Sequence, residues 1–193
     1  MSSFPRPIAT TRSATGISTG KLAVWWLIAS EIVIFGGVLG SYLMHRIGHP
    51  EWASQAAHTN TVFGAVNTFV LLTSSLFAVM AHQAADQKDG KKAARFLYLT
   101  TLGAVIFLII KSVEWTGEIQ HGFTITSHTF WSFYYLAAGI HGVHVIVGAI
   151  IMLVIANDAL KGIDLQRVEA VGLYWHFVDI VWIFLFPLLY IAK

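Results

Sequence analysis

The stretch GLYWHFVDIVWIFLFPLLYI, residues 172–191, decides the fold class of this chain. It matches the length of about 20 apolar residues that a helix needs to cross the hydrocarbon core of a bilayer. It nevertheless carries His176 and Asp179 near its middle. An ionisable side chain at that depth costs about 2.5 to 3.5 kcal/mol on insertion scales, so it normally faces a protein partner or a polar cavity. The stretch predicts a membrane-spanning helix with one polar face turned inward.

The composition of the whole chain supports a membrane protein. Hydrophobic residues make up 56% of the 193 residues and charged residues 11%, which is too little polar surface to cover a soluble core. The absence of cysteine excludes disulfides, zinc-thiolate sites, iron-sulfur clusters and thiolate-bound haem. A net charge of +2 without a basic patch gives no indication of nucleic-acid binding. We therefore expect one integral membrane domain.

Five apolar runs predict five transmembrane helices. Closed barrels and helices are the structures that satisfy their backbone in lipid, and these runs lack the alternation of barrel strands. We expect an all-α bundle with a short tail over residues 1–21 and a membrane domain over residues 22–193. The predicted spans are residues 22–44, 61–83, 95–113, 129–156 and 170–192.

Lysine and arginine are distributed unequally between the two sides of these spans. Nine fall on one side, at Arg6, Arg12, Lys21, Lys88, Lys91, Lys92, Arg95, Lys161 and Arg167. Three fall on the other, at Arg46, Lys111 and Lys193. Because cytoplasmic loops carry the excess of positive charge, we expect a cytoplasmic N-terminus and an outside C-terminus.

Four polar residues in the last two spans predict a structural polar core. His176 and Asp179 are three residues apart, as are His141 and His144, so each pair lies on one helix face. Gly139, Gly142 and Gly148 beside the second pair favour close approach of a neighbouring helix. We expect His176 and Asp179 to meet His141, His144 or a backbone carbonyl of the fourth span. His144 and His176 leave open a second interpretation, in which two imidazoles hold a haem.

Three further charged residues stand out. Glu31 lies near the middle of the first predicted span, which contains no lysine or arginine. Buried carboxyls of this kind are candidates for a proton-linked role, with a neutral structural acid as the alternative. Lys111 and Glu114, at the end of the third span, are expected to form an ordinary interfacial pair. Spacing alone assigns a metal-ligand role to none of the histidines at span ends or in loops, so no metal site is predicted.

Five motifs, in the same order, resemble subunit III of haem-copper respiratory oxidases. They are Ser30 with Glu31, NTFVLLTSS at 67–75, Glu114 with Trp115, GIHGVHVIVG at 139–148, and YWHFVDIVWIFLF at 174–186. WHFVD is the most specific of them, and the resemblance covers about residues 20–192. Longer family members have two more helices before these five, so the chain resembles the short bacterial form.

This resemblance implies a subunit without a redox centre. It would pack beside catalytic subunit I and subunit II, which carry the haem and copper, in a bacterial cell membrane. Glu31 resembles the family's membrane-buried, carbodiimide-reactive glutamate, which implies support for proton uptake and stability of the catalytic subunit. The resemblance also implies contact with membrane lipids, including bound phospholipid, although the family's lipid cleft involves the two helices that this sequence lacks.

Two alternatives stay open at this point. The same family includes accessory subunits of nitric oxide reductases and quinol oxidases, and the ending IFLFPLLYIAK resembles the reductase members. The other alternative is a small haem-carrying membrane anchor. The sequence does not determine the electron donor, cytochrome c or quinol, or the haem types of the partner.

Overall fold

The computed structural model describes residues 19–192. The predicted cytoplasmic tail therefore lies outside the described residues, except for residues 19–21, which belong to the first helix. Arg6, Arg12 and Lys193, which contribute to the predicted orientation, also lie outside them.

All regular secondary structure in the described part of the chain is helical, and five of its helices are long and apolar enough to cross a membrane. The prediction of an all-α protein with five spanning helices is confirmed. The helices are α1 (Thr19–Gly48), the short α2 (Trp52–Ala56), α3 (Thr61–Asp86), α4 (Gly90–Gln120), α5 (Thr129–Leu160) and α6 (Arg167–Phe186), which continues as a π-helical segment (Pro187–Ile191).

Several helix ends carry capping residues that satisfy the free amides of the first turn. The side chain of Asn60 accepts hydrogen bonds from the amides of Val62 and Phe63 at the start of α3. Asp89 caps α4 in the same way, through the amide of Lys92. These caps lie beyond the apolar runs, so α4 begins five residues before its predicted span and ends seven residues after it.

The last helix changes its winding at Pro187. Proline has no amide hydrogen and its ring clashes with the carbonyl four residues earlier, so a regular α-helix cannot continue through it. The chain instead adopts the wider π-helical turn over Pro187–Ile191. This segment places Tyr190 in the protein interior, where it has no exposed surface.

The most extensive packing joins α3 and α4, which lie side by side through small residues. At Gly103 of α4, an added Cβ would lie 2.6 Å from the Cβ of Ser74 on α3, so glycine is required for this close approach. α6 packs against α3 and α5 and is the most buried of the five spanning helices.

Helix α1 is attached to the bundle by a narrow face. It packs mainly against α6 and α5 and buries Ile28, Glu31, Phe35 and Tyr42. The rest of its surface is strongly exposed and apolar. An apolar surface of this kind is compatible with lipid or with another transmembrane protein.

Candidate functional site

Glu31 meets His144 in the interior of the bundle. The Oε2 atom of Glu31 lies 3.0 Å from the Nε2 atom of His144, and the two side chains are 11% and 17% exposed. The contact joins the middle of α1 to α5. Its angle is not that of a regular hydrogen bond, and Glu31 Oε2 has no other partner among residues 19–192. The sequence placed Glu31 at this depth, but its partner is on another helix and was not predicted.

A backbone carbonyl fixes the tautomer of the neutral His144 ring. Its Nδ1 atom lies 2.8 Å from the carbonyl oxygen of Ile140, and because a carbonyl can only accept, Nδ1 carries a hydrogen. The lone pair of the neutral ring is then on Nε2, the atom that faces the carboxyl group of Glu31. Both facing atoms are of a kind that can accept a proton.

His176 and Asp179 face α3, so the helix predicted to partner them was the wrong one. The Nδ1 atom of His176 lies 2.6 Å from the hydroxyl of Ser75 on α3. In the part of the chain that the structure describes, neither oxygen of Asp179 has a hydrogen bond of regular geometry, although the Ser75 hydroxyl is close enough to interact with the carboxyl group. Sequence spacing showed that the two residues share a face of α6, but it could not show which neighbour that face meets.

His141 is fully buried and is enclosed by aromatic rings. Its ring centroid lies 5.5 Å from that of Phe107 and 5.1 Å from that of Trp182. Neither ring nitrogen has a hydrogen-bond partner among residues 19–192. His141 and His144 thus share one helix but occupy different environments, because His144 meets Glu31 and His141 faces the interior between α4 and α6.

The glycines beside these histidines do not behave alike. An added Cβ at Gly148 would lie 3.1 Å from the rings of Trp175 and Tyr174, so this glycine lets α6 approach α5 closely. Gly142 has nothing within 4 Å of that position, and Gly139 has only one ring atom of Trp115, at 3.8 Å. The predicted close approach is therefore made at Gly148.

Lys111 and Glu114 form the predicted pair, but it is enclosed by protein and not open at the surface. Lys111 Nζ donates to Glu114 Oε2 at 3.0 Å, and the side chains are 6% and 1% exposed. Lys111 also donates to the hydroxyl of Tyr134 at 2.9 Å and to that of Tyr190. The two tyrosines close the site because the π-helical segment brings Tyr190 against α4 and α5.

A second carboxylate completes this group, which we call the Lys111 cluster: Lys111, Glu114, Glu118, Tyr134 and Tyr190. The Tyr134 hydroxyl lies 3.0 Å from Glu114 Oε1 and 3.1 Å from Glu118 Oε1. Glu118 Oε2 is buried and has no hydrogen bond of regular geometry within the described residues. One lysine therefore faces two carboxyl groups. Glu118 could have been found from the sequence, because Lys111, Glu114 and Glu118 recur at the spacing of one helix face.

A cavity of about 330 Å³ adjoins the Lys111 cluster. Glu114 and Glu118 line it together with Asn60 and two histidines, His58 and His121. Within residues 19–192, no group of three or more His, Cys, Asp or Glu side chains is arranged to hold a metal ion. The polar residues of the bundle thus form separate groups at different depths.

Comparison with known proteins identifies relatives over nearly the whole chain. The family model described as cytochrome c oxidase subunit III matches residues 10–193. Cytochrome c oxidase subunit 3 of Corynebacterium diphtheriae is 30% identical over 196 residues, covering 98% of this chain and 94% of that protein. Cytochrome c oxidase subunit 3 of Bacillus sp. (strain PS3) is 32% identical, covering 96% and 92%. A heme-copper oxidase subunit I+III of Aeropyrum pernix is 29% identical, covering 89% of this chain and 22% of that protein.

Proposed function

The chain belongs to the cytochrome c oxidase subunit III family, and from this premise we propose that it is a non-catalytic subunit that supports the proton uptake and stability of the catalytic subunit. Its relatives are subunits of an oxidase, so the protein works as part of a membrane complex. Oxygen reduction would take place in the partner subunits, which carry the haem and copper.

The observation that carries the proposal is the buried contact between Glu31 and His144. Two ionisable side chains that meet inside a helical bundle are expensive to bury and typically mark a functional or strongly structural position. The two facing atoms, Nε2 of His144 and Oε2 of Glu31, can each accept a proton. A group of this kind can take up or release a proton with little rearrangement.

Partners and orientation follow from the same premise. The Aeropyrum relative is named as subunits I and III together, which supports direct association of this chain with a catalytic subunit I. We propose subunit II and membrane lipids, including phospholipid, as further partners. The charge distribution supports a cytoplasmic N-terminus and an outside C-terminus, in a bacterial inner membrane.

The haem-anchor alternative needs free imidazole nitrogens on His144 and His176. The Nδ1 atom of His144 faces a carbonyl and its Nε2 atom faces Glu31, so neither is available to iron without breaking a contact. We expect the purified chain, separated from its partners, to show no haem absorbance. Stoichiometric haem bound to this chain alone would contradict the non-catalytic role.

The experiment for the proton-linked role replaces Glu31 by glutamine in the assembled complex. Glutamine keeps the shape of the side chain and its ability to hydrogen-bond but cannot ionise. If Glu31 supports proton uptake, turnover should fall, or activity should be lost faster during turnover, and the defect should grow as the pH rises and protons become scarce. Oxygen consumption against time, across a pH series, measures both effects.

A matched control is Glu169→Gln. Glu169 also pairs with a base, Lys21, at 2.6 Å, but both side chains are about 40% exposed. This variant should follow the wild type at every pH. Curves for Glu31→Gln that superimpose on those of the wild type at all pH values would reduce Glu31 to a structural acid. Identifying the largest subunit of the purified complex separates an oxidase from a nitric oxide reductase.

A further inference from the structure

Two histidines stand four residues apart in the sequence HRIGH at residues 45–49: His45 lies in the last turn of α1, and His49 directly follows the last residue of that helix. Side chains at this spacing project from the same side of a helix. Both residues are exposed. They belong to none of the polar groups described above, which are the Glu31/His144 contact, the face of His176 and Asp179, and the Lys111 cluster. We call them the His45/His49 pair.

Backbone carbonyls fix the orientation of both rings. The Nδ1 atom of His45 lies 2.9 Å from the carbonyl oxygen of Ser41, and that of His49 lies 2.9 Å from the carbonyl oxygen of His45. Because a carbonyl can only accept, each Nδ1 carries a hydrogen, and each neutral ring keeps the lone pair on Nε2. Metal-binding histidines are typically held in this way, with the second ring nitrogen donating to a carbonyl.

A buried tryptophan supports both imidazoles. The rings of His45 and His49 are nearly parallel, with an angle of 14° and a centroid separation of 6.2 Å. The Trp52 ring stacks on both, at 6.1 Å from His45 and 5.6 Å from His49. Trp52 itself is only 2% exposed, so it is a fixed surface against which the two exposed rings are ordered.

We propose that His45 and His49 chelate one divalent transition-metal ion through their Nε2 atoms. Imidazole suits Zn²⁺, Ni²⁺ and Cu²⁺, and water would complete the coordination of a site with two protein ligands. Two imidazoles bound at Zn–N distances of about 2.0–2.1 Å have ring centroids about 5 Å apart. To bind one ion, the rings must therefore move about 1 Å closer and also turn out of their nearly parallel arrangement, which rotation about the side-chain bonds of the two exposed histidines allows.

The alternative is that the two rings only pack on Trp52 and finish the helix. Isothermal titration calorimetry of the purified, assembled complex with Zn²⁺ distinguishes chelation from packing alone. The complex should carry no histidine tag. We expect His45→Gln and His49→Gln each to weaken one Zn²⁺ site by about tenfold or more, because a chelating second ligand acts at high effective concentration.

His82→Gln is the matched control. His82 is also exposed and lies one turn from a possible ligand, since its Nε2 atom is 3.5 Å from Asp86. Zn²⁺ affinity in this variant should equal that of the wild type. Equal affinity in the wild type and in both the His45 and His49 variants would overturn the proposal.

A second measurement needs no variant, and so remains decisive if a substitution prevents assembly. Diethyl pyrocarbonate modifies accessible imidazoles, and mass spectrometry locates the modified residues. Bound Zn²⁺ should protect His45 and His49 and leave His82 reactive. Equal modification of the pair with and without Zn²⁺ would contradict chelation.

Discussion

Replacing Lys111 by methionine tests whether the Lys111 cluster stabilises the bundle. Methionine fills a similar volume but has no charge and no donor, so the contacts of Nζ to Glu114 at 3.0 Å and to Tyr134 at 2.9 Å are lost. The two carboxyl groups would then have no cation beside them in a site where Lys111 and Glu114 are less than a tenth exposed. Breaking a buried ion pair by removing one partner costs about 3–5 kcal/mol.

The Tyr134 and Tyr190 rings add to this loss. Lys111 Nζ lies 4.7 Å from the ring centroid of Tyr134 and 5.0 Å from that of Tyr190. Cation–π contacts contribute about 0.5 to 2 kcal/mol, with the larger values in desolvated sites. We therefore expect the cost of Lys111→Met to lie at the upper end of the range for a broken buried pair.

The assay heats the purified complex to a series of temperatures and uses native electrophoresis to measure the fraction that retains this subunit. Lys21→Met is the matched control, because the pair of Lys21 with Glu169 is about 40% exposed and such pairs contribute about 0–1 kcal/mol. The double variant Lys111→Met with Glu114→Gln removes both charges and should recover part of the loss. If Lys111→Met and Lys21→Met lose the subunit at the same midpoint temperature, the reasoning is refuted.

Two further substitutions test packing and burial. Gly103→Ala should destabilise the α3/α4 contact by about 1–3 kcal/mol, because the new Cβ would lie 2.6 Å from that of Ser74. Gly142→Ala is the control and should be neutral or stabilising, because no described atom outside its own helix backbone lies within 4 Å of the new Cβ. The temperature at which the complex loses this subunit measures the stability of both variants, and an equal loss for Gly103→Ala and Gly142→Ala would contradict the close packing at Gly103. Asp179→Asn should not weaken retention, because the buried carboxyl has no regular hydrogen bond to lose; a clear loss would show that its charge is needed.

The five spanning helices were predictable because length and apolar composition are enough to identify a span. The ends of the helices were harder to predict, because the polar first and last turns do not stand out in a hydropathy profile. Asp89, which caps α4, could have corrected the predicted start of that helix, whereas α3 begins at residue 61 as predicted, directly after its cap Asn60. The short helix α2 was not predicted, since a single turn of helix leaves little periodicity to detect.

The orientation of each helix about its axis was much harder to predict. In a soluble protein the apolar stripe faces the core, but here lipid and core are both apolar. On α5, Met152 is fully buried and Ile150 is 56% exposed, although both are large aliphatic side chains. Polar residues do indicate an inward face, which is why Glu31 and His144 were found, but their partners depend on helix neighbours that one sequence does not reveal.

The way α1 is attached makes a sharper test of Glu31 possible. Its polar contacts to α5, α6 and the segment after α6 lie at four depths, in the pairs Lys21 with Glu169, Glu31 with His144, Tyr42 with the Leu188 carbonyl, and Arg46 with the Ala192 carbonyl. The Glu31 contact is the one near the middle of α1, where no bulk water can replace it. Glu31 can therefore contribute by holding α1 against α5, by carrying a proton, or by both.

Glu31→Asp separates these roles when it is compared with Glu31→Gln. Aspartate keeps an ionisable carboxyl but is one methylene shorter, so it weakens the 3.0 Å contact with His144. Glutamine keeps the length and loses the ionisation. If Glu31 carries protons, Glu31→Gln should lose more turnover than Glu31→Asp, and the difference should widen with rising pH. If Glu31 only holds α1 in place, Glu31→Asp should be the more damaging change, and its effect should appear as loss of thermal retention that does not depend on turnover.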